Sequence, residues 1–159
     1  RLQRKIDRQH LLRSLYEALE SSGELAWDGQ GSVPIPMSTL LDARSWSPRR
    51  MKRQLRRLEA KEMCRTEGAG VRLLPAGRAE AARLVRQHRL WEIFLITHAD
   101  IAPGKVDRDA DAIEHVLDPE IVEKLEQTLA EEGRPAAIPS SPHPIDIGPA
   151  STQEGRDNA

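Results

Sequence analysis

The 159-residue sequence has a single cysteine, Cys64, and only five aromatic residues. One cysteine excludes an internal disulfide and any multi-cysteine zinc site, and it fits a reducing compartment. With so few rings, aliphatic Leu, Ile, Val and Ala must fill the core. No run approaches the ~18 apolar residues of a membrane span and no signal peptide is visible, which points to the cytoplasm. Also missing are a His-Glu-x-x-His pair, a Ser or Cys nucleophile in a recognisable elbow, and a Gly-rich phosphate loop. These absences disfavour a hydrolytic metalloenzyme, and the chain reads as a non-enzyme. There is no internal repeat.

Net charge is also nearly absent, at -1, but the total conceals a strong asymmetry. From Arg44 to Arg89 there are 14 Lys and Arg against 4 Glu and no Asp, a net of +10. From Asp107 to Glu132 there are 10 Asp and Glu against 2 basic residues, a net of -8. A basic half suited to phosphates lies beside an acidic half suited to a cation. The blander alternative is two solvated helix faces of opposite sign.

What is present is mostly helix. Ile6, Leu11, Leu12, Leu15, Ala18 and Leu19 recur near helical spacing, and Ser21-Ser22-Gly23 ends the pattern. A polar connection from Trp27 to Pro36 leads to a short helix at about Ser38 to Ala43. Ser47 then reads as an N-cap with Pro48 at the first helical position, followed by Met51, Leu55 and Leu58 on one stripe. Residues Glu62 to Leu74 read as two short strands around a Gly-Ala-Gly turn. A long helix follows from about Ala79 to Thr97, then a helix bearing Asp111, Glu114 and His115, and a last helix opened by Asp118-Pro119-Glu120. Beyond Glu132 five of the 11 prolines and a polar ending describe a disordered tail.

A short helix, a turn and an Arg-rich helix followed by a basic hairpin follow winged helix-turn-helix logic. Ser47, Arg49, Arg50, Lys52, Arg53 and Arg57 on the third helix, with Arg72 in the hairpin, are the candidate contacts to double-stranded DNA. The alternative is an ordinary arginine-rich surface helix.

Asp111, Glu114 and His115 stand at i, i+3 and i+4 of a helix and share one face. His88 and Glu92 form a second pair at helical spacing, and His10 lies in the first helix. Imidazoles and carboxylates converging from several helices are what a divalent cation requires. Taken singly, His10 or His88 is equally well a packing histidine.

At these residues the chain resembles the DtxR/MntR family of metal-dependent transcription regulators. The likeness runs from about Ile6 to Leu129. It rests on His10-Leu11-Leu12-Arg13-Ser14-Leu15-Tyr16-Glu17, Ser47-Pro48, Leu74-Pro75-Ala76-Gly77-Arg78, Gln87-His88-Arg89-Leu90-Trp91-Glu92, and Ile113-Glu114-His115 followed by Leu117-Asp118-Pro119-Glu120. The resemblance implies a mainly α fold: a winged helix-turn-helix followed by a helical metal-binding and dimerisation domain. The corresponding bounds are 1–78 for the DNA-binding domain, 79–132 for the helical domain and 133–159 for the tail. The resemblance also implies a metal-ligating role for His88, Glu114 and His115, and for Glu92 as in the iron-type ancillary site. Asp111 stands where relatives carry Cys or Glu, His10 where they carry Met or Asp, and Asp107 where an ancillary His is found. Asp107 reads equally as charge at a helix N-terminus. Arg13 departs from the pattern, since manganese-type members place a carboxylate there, and this puts a two-metal manganese site in doubt. The C-terminal SH3-like domain of longer iron-type members has no counterpart here.

Two imidazoles and two carboxylates, His10, Asp111, Glu114 and His115, form a donor set without soft sulfur, suited to Mn²⁺ or Fe²⁺ and also to Zn²⁺. The resemblance thus implies a homodimeric regulator of an operator, acting as a repressor of metal uptake. A different reading is a cytosolic metal-sensing domain of a manganese, iron or zinc ABC transporter permease, physically linked to its membrane subunit. The basic opening Arg1 to Arg8, without an initiator Met, is the kind of flank found on the cytosolic side of a membrane segment. Trimming of the chain explains the missing Met equally well.

Overall fold

In the computed structural model, the residues described are 2–25, 32–43, 46–98, 106, 110, 119–131 and 138–142. Helix α1 (Leu2–Ser21) buries Leu11, Leu12, Leu15, Tyr16, Ala18 and Leu19. It stops where Gly23 adopts φ 72. There the amide of Gly23 donates to the Glu20 carbonyl (3.1 Å) and that of Glu24 to the Leu19 carbonyl (2.9 Å). This pair of bonds satisfies the last carbonyls of the helix.

Strand β1 (Ile35–Pro36) leads directly into α2 (Met37–Ala43). The sequence pattern reads these two strand residues as part of a polar connection, because a two-residue strand containing Pro leaves no alternation to see. Ile35 is nevertheless 4% exposed and pairs with Val71. Helix α3 (Pro48–Glu59) starts as its sequence predicts, with Ser47 accepting from the Arg50 amide (3.3 Å) and Met51, Leu55 and Leu58 buried. Strands β2 (Cys64–Glu67) and β3 (Gly70–Leu73) form the hairpin, with Gly68 at φ 57 in its two-residue loop. The antiparallel sheet has the order β1-β3-β2.

Helix α4 (Pro75–His98) begins four residues before the sequence-based start. Gly77 looks like a helix breaker, yet it is buried inside the first turn of α4 because the backbone of Met63 lies against it. A Cβ built at Gly77 would sit 1.8 Å from the Met63 carbonyl oxygen. The Leu74 amide donates to that same carbonyl (3.0 Å), which fastens α4 to the base of the hairpin. Helix α5 (Pro119–Glu131) packs on α4 through the buried Leu125 and an ion pair from Arg86 to Glu126.

Two hydrophobic clusters result. The larger joins α1, α2, α3 and the sheet to the first half of α4 through Ala81, Leu84 and Val85. The smaller gathers Leu90, Trp91 and Leu95 from the second half of α4 with Val106, Ala110 and Leu125. The boundary that the sequence suggests at 78/79 therefore falls inside a helix serving both clusters. Residues 138–142 lie within the segment expected to be a disordered tail, but Ile138 packs on the larger cluster and the Pro139 carbonyl accepts from Arg89 (2.8 Å). A segment without its own core has borrowed one.

Candidate functional site

The first candidate surface is the outer face of α3. Its apolar stripe is consumed by the core, so its cations are left at the surface. Arg49, Lys52 and Arg53 are exposed there. The other expected contacts are engaged within the protein. Ser47 spends its side-chain oxygen on the helix cap. Arg57 is half-buried and donates to Gln54 Oε1 (3.4 Å). Arg72 pairs with Glu67 (3.0 Å) and donates to the Ser32 carbonyl (2.8 Å), bracing the hairpin against the segment before β1. Arg56 on α3 and Arg65 on β2 are exposed as well, beyond the candidate contacts named from the sequence. The exposed side of a four-residue strand was the only sequence signal for Arg65.

Arg50 is the instructive case. Its Nε donates to Asp7 Oδ2 (3.1 Å) and its Nη2 to Oδ1, while its guanidinium carbon lies 5.4 Å from the centre of the Trp46 ring. Gln54 and Gln3 also donate to Asp7, each at 2.9 Å. Burial by itself pushes the Asp7 carboxyl up, but the hydrogen bonds from Arg50, Gln3 and Gln54, with the charge of Arg50, hold it below the ordinary aspartate value. This cluster fixes the angle of α3 on α1. No local pattern announces it, since its members lie 43 and 47 residues apart.

The second candidate site is the seam between α1 and α4. His88 and Glu92 stand one turn apart on α4, with Nε2 of His88 3.2 Å from Glu92 Oε1 and both side chains sealed from solvent. Opposite them on α1 lies Arg13, 2% exposed, its Nη1 in hydrogen-bond contact with His88 Nδ1 and its Nε 3.5 Å from Glu17 Oε1. A guanidinium only donates, so Nδ1 is the acceptor and the ring proton belongs on Nε2, facing Glu92. The residue after His88 on α4, the buried Arg89, donates to Glu20 of α1 (2.9 Å) and to the Pro139 carbonyl. Sequence reasoning found His88 and Glu92 but assigned no partner to Arg89 or Glu20.

The surroundings of His88 do not fit a metal ion. The lone pair that a cation would need at Nδ1 is directed at a fixed positive charge, and a buried guanidinium is not displaced as a water would be. His10 is half-buried one turn before Arg13 on α1. Asp107, Asp111, Glu114 and His115 lie outside the described residues. Among the described residues no group of three or more His, Cys, Asp or Glu side chains is arranged to hold a metal. As a donor set, His10, Asp111, Glu114 and His115 fit a first-row divalent ion by their nitrogen and oxygen chemistry. Cys64 is no ligand candidate, because burial first and the charge of Glu59 second push its thiol up to about 12. No helix among the described residues is long and apolar enough to cross a membrane.

Comparison with known proteins adds three findings. Residues 74–135 match the family model for the iron dependent repressor, metal binding and dimerisation domain. Among solved structures, the chain is similar to the manganese regulator SloR (TM-score 0.62, 23% identity, 87% of this chain and 61% of that one). It is likewise similar to IdeR of T. acidophilum (0.64, 22%, 90% and 63%) and to ScaR with bound Zn²⁺ (0.60, 25%, 87% and 62%). Among curated proteins, 57 residues are 44% identical to a "probable metal transport system membrane protein" of Chlamydia trachomatis serovar D, covering 36% of this chain and 13% of that protein. The chain thus spans about three-fifths of the length of these solved structures and a small part of the curated relative.

Proposed function

We propose that this chain is a metal-sensing, DNA-binding regulator of the DtxR/MntR kind, whose affinity for an operator depends on a divalent cation. One observation carries the reading: a winged helix-turn-helix with exposed cations on α3 is continuous, through α4, with a segment matching a metal-binding and dimerisation domain. The units in this reading are 1–78 for the DNA-binding head, 79–132 for the metal-binding and dimerising half, and 133–159 for the tail.

His10, Asp111, Glu114 and His115, with Asp107 as a further carboxylate, would hold Mn²⁺ or Fe²⁺, or alternatively Zn²⁺. When bound, the cation would supply a cross-link between α1 of the head and the dimerising half. The chain's own residues do the rest. Arg49, Lys52, Arg53, Arg56 and Arg65 meet phosphates and base edges, and the Asp7 cluster sets the pitch of α3 beneath them. In a homodimer the two recognition helices must match half-sites about 34 Å apart, so small rotations of each head change register with the groove. A repressor of metal uptake is the regulatory role this supports.

The test is binding of the full chain to duplex DNA from the region upstream of its gene, with Mn²⁺, anaerobic Fe²⁺, Zn²⁺ or chelator. A metal-dependent gain in affinity, reduced in Glu114→Ala and His115→Ala variants that keep their helicity, is the expected result. Equal affinity with metal and with chelator would sink the proposal.

The match to a metal transport membrane protein favours a second reading, in which the same module is carried on the cytosolic side of a transporter subunit. Fractionation of the native host with an antibody against this segment separates the two. A membrane-bound species far larger than 17.8 kDa supports the tethered form, and a soluble species alone supports the free regulator.

A further inference from the structure

The seam between α1 and α4 places a fully buried guanidinium among groups that otherwise suit a cation. Within it stand one imidazole, His88, and two carboxylates, Glu17 and Glu92, and Arg13 meets His88 directly and Glu17 at ion-pair distance. Burying a guanidinium is costly unless it is compensated, and here His88 on α4 accepts from it while Glu17 on α1 lies at ion-pair distance. Divalent cations bridge helices by the same means, drawing lone pairs from an imidazole and carboxylates on separate elements. Arg13 delivers its positive charge on a covalent arm, at a fixed stoichiometry of one per chain and without dependence on metal supply.

We propose that Arg13 is a built-in cation that takes the place of a metal ion between α1 and α4, so that His88 and Glu92 are not metal ligands in this protein. The proposal rests on the metal-sensing reading above and sharpens it. The seam that carries the DNA-binding head on α4 is closed with or without metal, and only the donor set of His10, Asp111, Glu114 and His115 remains to respond to a cation. Substituting a carboxylate for the guanidinium would turn Glu17, His88, Glu92 and the new side chain into a nitrogen and oxygen donor set of the kind Mn²⁺ and Zn²⁺ accept.

The experiment is Mn²⁺ and Zn²⁺ titration of the full chain by calorimetry, with bound metal counted by elemental analysis and thermal melting followed with and without chelator. His88→Gln in the parent should leave metal stoichiometry and affinity unchanged, because no ligand is lost. Arg13→Glu should take up one further ion per chain, should melt higher with Mn²⁺ than with chelator, and should lose both gains when combined with His88→Gln. An Arg13→Glu chain that folds only when metal is supplied supports the proposal equally. A fall in metal affinity of about tenfold or more in folded His88→Gln would overturn it, since that is the loss expected for a ligand or its direct support. Absence of any metal binding by the parent would defeat the metal-sensing reading, while the extra ion in Arg13→Glu would still uphold the built-in cation.

Discussion

Helix α1 meets α3 and α4 through polar clusters built on opposite plans. Toward α3 a carboxylate, Asp7, sits at the centre and gathers Arg50, Gln54 and Gln3 around it. Toward α4 a guanidinium, Arg13, sits at the centre and is matched by His88 and Glu17. The first cluster opens to water, since the Arg50 side chain is 41% exposed, whereas Arg13 and His88 are sealed. A carboxylate-centred, half-open cluster yields to acid. The guanidinium at the centre of the closed cluster stays charged at any pH a folded protein meets.

The largest effect should come from emptying the closed cluster. Arg13→Ala leaves buried carboxylate charge uncompensated together with a void, and a loss of about 3–5 kcal/mol is expected in chemical denaturation. A loss below about 1 kcal/mol would show that water enters the seam and that the two clusters are alike. Next in size is Asp7→Ala, expected to cost about 2 kcal/mol, mostly from the orphaned donor of the buried Gln54, because Arg50 and the exposed Gln3 regain water. It should also weaken DNA binding by loosening α3, whereas Arg49→Ala should weaken DNA binding with stability changed by no more than about 0.5 kcal/mol.

Acid separates the clusters more finely. Asp7 is held below its ordinary value of 3.8, so its contribution is complete above that value and is lost as the pH falls through the lower folded-state value. Denaturation midpoints measured from pH 6 down to about 3 should therefore fall more steeply in the parent than in Asp7→Asn. Identical slopes would remove Asp7 as an acid-sensitive element. Among the variants that weaken contacts of α1, the smallest effect belongs to Glu20→Gln, which keeps one acceptor for Arg89 but removes the charge. About 1 kcal/mol is expected, with greater proteolysis near Pro139 if the Arg89 contact to that carbonyl loosens.

The sequence made half of this comparison legible. The stripe of Met51, Leu55 and Leu58 and the Ser47-Pro48 start are local signals, repeated at helical spacing, and α3 forms where they place it. Arg49 and Arg50 are adjacent and chemically identical, yet one is exposed and the other ties down Asp7. The distinction arises only once α1 crosses α3. Arg13 stood out as a departure from a family pattern, but its burial against His88 depends on a contact 75 residues away in the chain. Gly77 reads as a breaker by propensity, and the reason it sits in a helix is the Met63 backbone beside it. Periodicity reports which face of an element is buried, while pairings between elements are settled by packing. The proposed metal ligands Asp111, Glu114 and His115 rest on spacing and on the family resemblance, and they lie outside the described residues.

Helix α4 carries both hydrophobic clusters on one uninterrupted run, with neither Gly nor Pro between Arg78 and His98. Its 24 residues span about 36 Å at 1.5 Å per residue, close to one turn of duplex DNA. A beam of that kind has no internal joint, so its two ends turn together or not at all. It also couples the fates of the two clusters: a solvent-exposing excursion of the middle turns, around His88 and Arg89, must breach both at once. Amide protons there should exchange only through opening of the whole molecule, making this stretch the slowest clock in the protein.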